Sequence, residues 1–471
     1  MMQTMAAFVG QIVRLGYHKP TLCLRRFSSA LFMTGDEAKG TFSVVSPHID
    51  IEEKLKEISL LKDNIEHRGL KINIGTIQEL WDMLKTIQGN KLTLEGKRVD
   101  IANQIKLLKS NKDESTKEMD KLKMHGKILR EDLKTTTRAI WELEKAVIPK
   151  ILSLPNDLHD RTPRSDLQVI FQHGQEPNLK NVESHLEIGK RLGILNYISP
   201  EWCYLNGQAA IFDLGVLDYF ANEISSHNFI KFCNSDFSRS VVVEGCGLDH
   251  ENPGVSYILE DTDEILETKD VNRLHLVGGA SLISFCAFHA KQNIPISSFP
   301  LRLVSIGRQY APDNQGPKES NMSGLFGTSQ SSSVGFCVST KDHDSETEEF
   351  DKCLNLITDI YKKFGCPFRT VYVPAKDLKK HEMLRASVQV YSPHFGSYVE
   401  VGHVSMCGNY ISKRLQIRYE VEDYSKFTHI VSGTAVSAPR LLGCLLELNH
   451  DVNDFVNIRV PDEVKKYVSC L

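Results

Sequence analysis

Two runs of apolar residues with heptad spacing constrain the fold of this chain more than any other feature. The first run begins at Ile77 and ends at Leu108, and the second begins at Met119 and ends at Val147. Apolar residues that alternate at three- and four-residue steps form one stripe along a helix, and two such helices pack along that stripe. The segment 109–117 between the runs has no apolar residue and predicts a short turn. The pattern therefore predicts an antiparallel coiled-coil hairpin with arms of about 50 Å. The predicted seam residues are Ile77, Leu80, Leu84, Ile87, Leu94, Ile101, Ile105, Leu108, Met119, Leu122, Leu129, Leu133, Ile140, Leu143 and Val147.

Two prolines delimit this arm. Proline removes a backbone donor and clashes with the preceding helical turn, so Pro149 and Pro155 are expected to end the second helix. With the segment that precedes the first heptad run, this assigns residues 48–154 to an N-terminal helical arm.

Positive charge is concentrated on this arm. Residues 85–138 contain 14 Lys and Arg against 8 Asp and Glu, a local charge of +6 in a chain whose net charge is −4. A narrow rod with excess lysine can lie along a phosphate backbone, with salt-dependent affinity. A solvated coiled-coil face is the alternative, because charged residues are abundant on every such face. The basic residues that we predict to bind RNA are Lys97, Lys106, Lys109, Lys112, Lys117, Lys121, Lys123, Lys127, Arg130 and Lys134.

The composition excludes several classes of protein. The chain has 471 residues, of which 41% are hydrophobic and 25% charged, and these values are typical of a multidomain globular protein. The longest largely apolar stretch, 276–290, is shorter than the roughly 20 residues that a membrane helix needs, so no membrane insertion is expected. The 11 cysteines form no C-x-x-C pair, and we therefore expect neither a metal site nor a disulfide framework.

Residues 1–35 differ in character from the rest of the chain. They contain four Lys and Arg residues, the two serines Ser28 and Ser29, and no acidic residue. An acid-poor, Arg- and Ser-containing start is typical of a mitochondrial transit peptide, which predicts import into the matrix. Processing is expected near Arg26-Phe27-Ser28; an uncleaved tail is the alternative.

The remainder, 181–471, follows a linker at 155–180 and has the pattern of an α+β domain. Its last strands follow one another through short connections, which favours antiparallel pairing. The sequence contains none of the P-loop, H-E-x-x-H or G-x-S-x-G signatures, so no catalytic residue is assigned. Helices are predicted at 183–195, 207–230, 279–292, 346–365 and 437–448, and strands at 255–259, 301–310, 368–373, 386–391, 397–406, 413–419 and 427–432.

Four local segments, in this order, resemble seryl-tRNA synthetase. Residues 202–207 are similar to the family's aromatic-Leu-x-Gly segment, and 276–278 lead into the place of its Thr-x-Glu loop. Residues 413–419 are similar to its Arg-Arg-x-x-Ile-Arg-Tyr segment, and 432–442 to its third class II motif. The resemblance extends from about residue 50 to the end of the sequence and is greatest to the non-catalytic, synthetase-like proteins of insect mitochondria.

The resemblance implies an architecture and partners. We expect a class II antiparallel sheet of six or seven strands with flanking helices, preceded by the coiled-coil arm. The family implies a dimer, either with a second copy or with the active mitochondrial seryl-tRNA synthetase. It also implies that the arm binds tRNA, and mitochondrial tRNA-Ser is the expected RNA.

The resemblance also locates charged groups that this chain lacks. The Thr-x-Glu loop, whose carboxylate would hold the substrate ammonium, reads Gly279-Ala280-Ser281. Serine activation further requires arginines on the ATP phosphates and carboxylates for Mg²⁺. The family's Tyr/Phe-Arg-x-Glu motif reads Tyr310-Ala311-Pro312-Asp313 here. In the stretch 324–335, the family's arginine, histidine, lysine and glutamate are replaced by Gly327, Ser329, Ser333 and Gly335. The positions at which we expect family groups to be lost are Gly279, Ser281, Ala311, Asp313, Gly327, Ser329, Ser333 and Gly335.

Two charged residues remain where the family has a nucleotide pocket. Glu400 occupies the place of a glutamate that faces metal and ATP, and Arg440 begins the last helix. Arg440 is expected either to pack and pair within the protein or to keep some nucleotide contact. The sequence thus predicts a non-catalytic tRNA-binding protein without a cofactor; an active divergent mitochondrial serine–tRNA ligase and a scaffold without RNA binding are the alternatives.

Overall fold

The computed structural model describes residues 29–34, 45–110, 116–177, 182–259, 273–312, 324–422, 424–451 and 454–468. Most of the predicted transit peptide lies outside these ranges, including Arg26-Phe27-Ser28. Lys112 and Asp313 also lie outside the described residues, and the side chain of Lys109 is not described.

The N-terminal part is the predicted helical hairpin. Two short helices, α1 (Ile51–Lys56) and α2 (Ile58–His67), precede two helices of 37 residues each, α3 (Ile74–Ser110) and α4 (Thr116–Leu152). Every predicted seam residue is buried or half-buried, so the heptad prediction is confirmed. At about 1.5 Å per residue each long helix extends roughly 55 Å.

Pro149 does not end α4, and that prediction is wrong. The helix continues through Pro149 to Leu152. Pro149 lies in the final turn, where the missing donor removes a single helical hydrogen bond. Its carbonyl still accepts the Ser153 N–H at 3.0 Å, which closes the last turn.

An eight-stranded sheet forms the body, one strand more than the six or seven expected. Its order is β1-β10-β11-β12-β15-β9-β8-β4. All neighbours are antiparallel except the two-residue strand β4, which pairs parallel with β8 and accounts for the difference. The strands are β1 (Gln168–His173), β4 (Ile230–Lys231), β8 (Leu301–Tyr310), β9 (Gln330–Thr340), β10 (Phe368–Tyr372), β11 (Leu384–Ser392), β12 (Ser397–Met406) and β15 (His429–Ser437).

Three smaller antiparallel sheets surround it in the described residues. They consist of β2 (Leu195–Ser199) with β3 (Trp202–Leu205), of β5 (Phe237–Arg239), β7 (Leu274–Leu276) and β6 (Tyr257–Leu259), and of β13 (Arg418–Val421) with β14 (Tyr424–Phe427). The other helices are α5 (His185–Arg191), α6 (Gln208–Ser225), α7 (Ser240–Gly245), α8 (Leu282–His289), α9 (His343–Lys362), α10 (Tyr410–Leu415), α11 (Ala438–Leu448) and α12 (Asp462–Val468).

One face of the large sheet forms the main hydrophobic core with α6, α9 and α11. Phe220, Phe350, Tyr361 and Leu441 from these helices pack on the apolar side of β11, β12 and β15. Successive side chains of a strand point to opposite faces, so the alternate residues of these strands form a second face. That second face carries the polar and charged residues of the pocket described below. No helix among the described residues is long and apolar enough to cross a membrane.

The prediction missed several strands, above all β9 in the middle of the large sheet, and two further segments differ from the predicted elements. The predicted strand 413–419 is the helix α10 followed by β13, because Ile411 and Leu415 are buried one turn apart and Gln416 ends the helix in the left-handed conformation. The predicted linker 155–180 contains β1, which forms an edge of the large sheet.

The base of the arm is fastened to the body by buried polar contacts. Arg68 at the end of α2 donates hydrogen bonds to the carbonyls of Lys379 (3.0 Å), Asn156 (3.1 Å) and Glu382 (2.6 Å). Asn156 donates in turn to the carbonyl of Cys407 at 2.7 Å. The arm is thus anchored on the loop that enters β11, which carries residues of the pocket.

Candidate functional site

The polar face of the sheet contains a network of buried charges centred on Arg385 of β11. Its guanidinium donates a hydrogen bond to the Glu400 carboxylate on β12 and a second, at 3.4 Å, to Glu382. The Arg385 side chain is only 12% exposed. One guanidinium therefore pairs with two carboxylates inside the protein.

Glu400 is held by this network as an anion. Ser387 donates a hydrogen bond to its second carboxylate oxygen at 2.6 Å, and the His403 ring nitrogen lies 3.7 Å from the first. Burial alone would raise the pKa of Glu400, but the Arg385 guanidinium and its polar neighbours outweigh burial and lower the pKa to about 2. The carboxylate is thus ionised and fully engaged by groups of this chain.

Glu382 is bound in a similar way. Its carboxylate accepts hydrogen bonds from the Ser405 hydroxyl at 2.8 Å and from the Lys379 backbone N–H at 2.8 Å. Burial again acts to raise its pKa, but Arg385 and other nearby cations lower it to about 2. His403 between these groups has its pKa lowered to about 3 by burial and by Arg385, so it is neutral at physiological pH.

Arg440 lies in the first turn of α11, beside Glu400. Its guanidinium donates to the backbone carbonyls of Phe326 at 3.1 Å and Glu400 at 3.2 Å. Burial lowers the pKa of Arg440 from its ordinary value. The side chain therefore connects the turn before β9, the strand β12 and the last helix.

The loop before α8, residues 277–281, packs on the other half of the polar face of the large sheet. Ala280 is 1% exposed, and its backbone N–H donates to the Arg308 carbonyl of β8 at 3.1 Å. The side-chain amide of Gln309 donates at 2.9 Å both to the Ala280 carbonyl and to the Thr434 hydroxyl on β15. Gln309 thus fastens the loop to two strands of the sheet.

Two glycines permit this close approach. A Cβ atom on Gly335 of β9 would overlap the carbonyl oxygen of Ala280, and one on Gly307 of β8 would lie 2.8 Å from the Ala280 nitrogen. Real side chains do not tolerate such contacts with backbone, so any residue larger than glycine at 335 would displace the loop. The loop and the sheet are therefore packed without room for a side chain between them.

The basic face of the arm is open to solvent. Eight of the ten predicted residues have described side chains, and all eight are exposed; Lys123 pairs with Asp120 at 3.5 Å. A shallow cavity of about 370 Å³ lies between the two long helices, lined by Lys97, Asp100, Ile101, His125, Ile128 and Leu129.

Comparison with known proteins identifies the family. A sequence profile described as the tRNA synthetase class II core domain (G, H, P, S and T) matches residues 269–449. The serine–tRNA synthetase-like protein Slimp of Drosophila melanogaster is 31% identical over 430 residues, which cover 90% of this chain and 89% of that protein. The chain belongs to the family of seryl-tRNA synthetases and seryl-tRNA synthetase-like proteins.

Proteins named as serine–tRNA ligases or seryl-tRNA synthetases are also similar. The mitochondrial serine–tRNA ligase of Mus musculus is 25% identical over 446 residues, covering 90% of this chain and 83% of that enzyme. The seryl-tRNA synthetase of Pyrococcus horikoshii, solved with ATP, has a TM-score of 0.77 at 19% identity and covers 89% of this chain and 98% of its own. The cytoplasmic serine–tRNA ligase of Naegleria fowleri, solved with AMP, has a TM-score of 0.74 at 16% identity. The predicted family and class II fold are therefore confirmed.

Several positions at which the family resemblance predicts lost charge come together at the loop. Gly279 and Ser281 flank Ala280, and Gly335 lies beneath its carbonyl. Ser281 caps α8 through the Ser284 N–H at 3.4 Å. The structure thus places two separate segments of the resemblance, the Thr-x-Glu loop and the end of the stretch 324–335, in direct contact.

The remaining positions lie along β8 and β9. The Ala311 N–H donates to the Ser329 carbonyl at 2.8 Å, and Ser329 follows the short helical turn that Gly327 ends. Ser333 lies 3.1 Å from the Ser331 hydroxyl, which in turn bonds to Ser437 at 2.8 Å. Small neutral groups therefore occupy places where the resemblance predicts arginine, histidine and lysine.

Sequence reasoning missed Arg385, Glu382 and Gln309. Arg385 had a detectable signal, since it is the single charged residue in the strand 384–392. Gln309 gave no signal, because only the folded chain brings it to Ala280 and Thr434.

Proposed function

We propose that this protein is a non-catalytic seryl-tRNA synthetase-like protein that binds tRNA through its arm and acts in mitochondrial translation without activating serine. The observation that carries the proposal is the contact between Ala280 and Gly335. The loop expected to present a carboxylate to the substrate ammonium lies instead against the strand expected to carry a pocket glutamate. No glutamate can stand at position 335 while the loop occupies this place.

The energetic argument concerns charge in the transition state. One preorganised contact to developing charge contributes about 3–4 kcal/mol, or roughly 10²–10³ in rate. Several such contacts are replaced by glycine, alanine and serine, and Glu400 is engaged by Arg385. The expected rate of adenylate formation is therefore negligible.

An active, divergent mitochondrial ligase is the second candidate, favoured by the similarity to the mouse enzyme and by Glu400 and Arg440. Serine-dependent exchange of pyrophosphate into ATP separates the two. We expect no exchange above a no-serine blank, with an active mitochondrial seryl-tRNA synthetase as the positive control. Pyrophosphate exchange that depends on serine and saturates with serine concentration would establish the active ligase and contradict the non-catalytic function.

RNA binding is assigned to the arm because its lysines are exposed and form an excess of positive charge. Within the part of the chain that the structure describes, Lys106, Lys117, Lys121 and Lys127 have no ion pair. Changing these four residues to glutamate should weaken binding of mitochondrial tRNA-Ser at least tenfold in a gel-shift titration.

A matched control carries the same charge change on other surfaces. Lys190, Lys291, Lys376 and Lys426 are exposed residues outside the arm (residues 48–154). Their replacement by glutamate should leave tRNA affinity within twofold of the unmodified protein. Equal binding by the arm variant and the control variant would exclude the arm as the RNA surface, and a lack of binding by the unmodified protein would favour a scaffold without RNA.

We further propose that the protein dimerises, with itself or with the active mitochondrial seryl-tRNA synthetase. Large apolar side chains are exposed on the body, including Trp202 at 59% and Ile198 at 69%, and β1 presents an unpaired edge within the described sheet. Burying such residues on a partner is favourable. Co-expression with the active enzyme followed by tag-based purification tests the heterodimer; light scattering of the protein alone tests the homodimer, and a monomer in both would contradict the proposal.

We also propose that the protein is imported into mitochondria and that its transit peptide ends earlier than residue 35. The expected segment 1–35 overlaps residues 29–34, which pack on the body. The Ser29 hydroxyl and the N–H groups of Ala30 and Leu31 donate to the Glu244 carboxylate at 2.8, 2.6 and 2.9 Å, and Leu31 is 1% exposed.

We therefore propose that processing occurs before Ser29, in agreement with the predicted point at Arg26-Phe27-Ser28. Mass spectrometry of the N-terminal peptide from mitochondria should give a start at or near Ser28. A start beyond residue 34 would contradict the assignment, and recovery of the intact N-terminus would favour the uncleaved tail.

A further inference from the structure

Three metal-ligating side chains from separate parts of the sequence meet at the start of α9. His343 is the first residue of this helix, Glu346 lies in its first turn, and His429 begins β15. One ligand atom from each lies within 4.8 Å of the others. None of the three residues belongs to the Arg385–Glu400 network or to any motif of the sequence analysis.

Two of the three distances between the ligand atoms are close to those of a coordination sphere. The Glu346 Oε2 atom lies 3.0 Å from His429 Nδ1 and 3.6 Å from His343 Nδ1. Zinc binds histidine nitrogen and carboxylate oxygen at about 2.0–2.2 Å, so two ligands at a tetrahedral angle are roughly 3.4 Å apart. The two distances from Glu346 are close to this value, and the two histidine nitrogens lie within 4.8 Å of each other, so binding an ion requires the histidine side chains to move closer together.

The carboxylate is fixed in advance. Glu346 is completely buried, and its other oxygen, Oε1, accepts the Gly408 N–H at 2.6 Å. A hydrogen bond of this kind orients a metal ligand and is a common feature of protein metal sites. The His343 side chain is 49% exposed, which leaves a path for an ion from solvent.

The electrostatic surroundings favour a cation. The negative charges of Asp160 and Asp344 interact with the His343 ring, and the negative charge of Asp342 interacts with the His429 ring. These carboxylates offset the positive end of the α9 dipole, which would otherwise oppose a metal ion.

We propose that His343, Glu346 and His429 bind one divalent transition-metal ion, for which zinc is the best match because two imidazoles and one carboxylate are ligands that it prefers. Solvent would complete the coordination. The ion would tie the start of α9 to β15 and, through Gly408, to the turn between β12 and α10. The expectation of no metal site rested on cysteine spacing, which contains no information on histidines so far apart in sequence.

The test uses the full chain without a histidine tag and zinc itself as the probe. Titration against a chromophoric chelator should give one tight site, and Co²⁺ should give the visible absorption of a four-coordinate ion. His343→Ala and His429→Ala should each weaken zinc binding at least 100-fold. Because either variant could affect folding, circular dichroism and thermal melting without metal are recorded for both.

Two control variants distinguish this site from adventitious binding. His227→Ala removes an exposed histidine elsewhere, and Cys233→Ala removes an exposed thiol; both should keep the site. In addition, zinc should raise the melting temperature of the unmodified protein and not that of folded His343→Ala. Zinc affinity that is unchanged in both histidine variants, or lost with Cys233→Ala, would overturn the proposal.

Discussion

Arg385 and Glu400 lie on neighbouring strands and form a hydrogen-bonded ion pair on the polar face of the sheet. The second oxygen of Glu400 is occupied by the Ser387 hydroxyl, and Arg385 also contacts Glu382. Arg440 lies beside Glu400 as a second cation, so Arg385 and Arg440 provide two positive charges for the two carboxylates. A bound nucleotide or metal ion would have to compete with an internal guanidinium for Glu400.

Removing one partner of this ion pair should destabilise the folded protein. Arg385→Met leaves two buried carboxylates without their cation, and such losses typically reduce the free energy of unfolding by about 3–5 kcal/mol. Adding Glu400→Gln should recover part of this loss, because the second change removes one of the unpaired charges. Urea unfolding of the two single variants and the double variant measures the coupling; strictly additive losses would show that the two side chains do not interact.

The depressed pKa of Glu400 predicts a pH dependence with a definite sign. Its ordinary pKa is 4.5 and its pKa in the folded protein is about 2, so the folded state favours the anion. The resulting stabilisation, on the order of 3 kcal/mol, is present above about pH 4.5 and is lost as the pH falls towards 2. Glu400→Gln should be less stable at pH 7, and its deficit should shrink on acidification. Glu420→Gln on the exposed strand β13 is the control and should follow the unmodified protein; a constant deficit for Glu400→Gln would contradict the assignment.

The elements with strong periodicity could be predicted from the sequence, and the contacts between distant segments could not. The heptad runs specified α3 and α4, and the alternation in β8 and β12 specified those strands at their observed limits. Residues 413–419 were assigned wrongly because two turns of buried helix and a short strand have similar apolar content. The packing of the loop before α8 on the sheet depends on contacts among Ala280, Gln309 and Gly335, and no local pattern encodes those contacts.

Gly335 should tolerate no side chain while the loop before α8 keeps its place. Gly335→Ala places a Cβ atom against the Ala280 carbonyl, a backbone group that cannot rotate away. Overpacking of this kind costs about 1–3 kcal/mol, and backbone contact places the expected loss at the upper end. Gly89→Ala in α3 is the matched control, because nothing lies within 4 Å of its Cβ and alanine should stabilise the helix slightly. Thermal melting of both variants measures the difference, and a neutral Gly335→Ala would mean that the loop can leave the sheet.

Salt should reveal how many arm lysines contact RNA phosphates. The logarithm of the binding constant falls linearly with the logarithm of salt concentration, by about 0.7–0.9 per phosphate contact. Replacing Lys106, Lys117, Lys121 and Lys127 by glutamate should therefore reduce the magnitude of the slope by roughly 3. Fluorescence anisotropy across a series of KCl concentrations gives the slope. An unchanged slope with weaker binding would indicate that the variant disturbs the hairpin and does not remove phosphate contacts.

The docking of residues 29–34 on Glu244 should contribute to the stability of the processed protein. Glu244→Ala leaves the Ser29 hydroxyl and the N–H groups of Ala30 and Leu31 without their acceptor. Hydrogen bonds to a charged acceptor contribute about 1.5–3 kcal/mol each, with strong non-additivity, so a total loss of about 2–4 kcal/mol is expected. The same substitution in a protein that begins at residue 35 should cost far less, because the docked segment is absent. Urea unfolding of the four proteins forms a closed cycle, and an equal cost of Glu244→Ala in both backgrounds would show that Glu244 stabilises the body by other contacts, such as that with His250 at 3.7 Å.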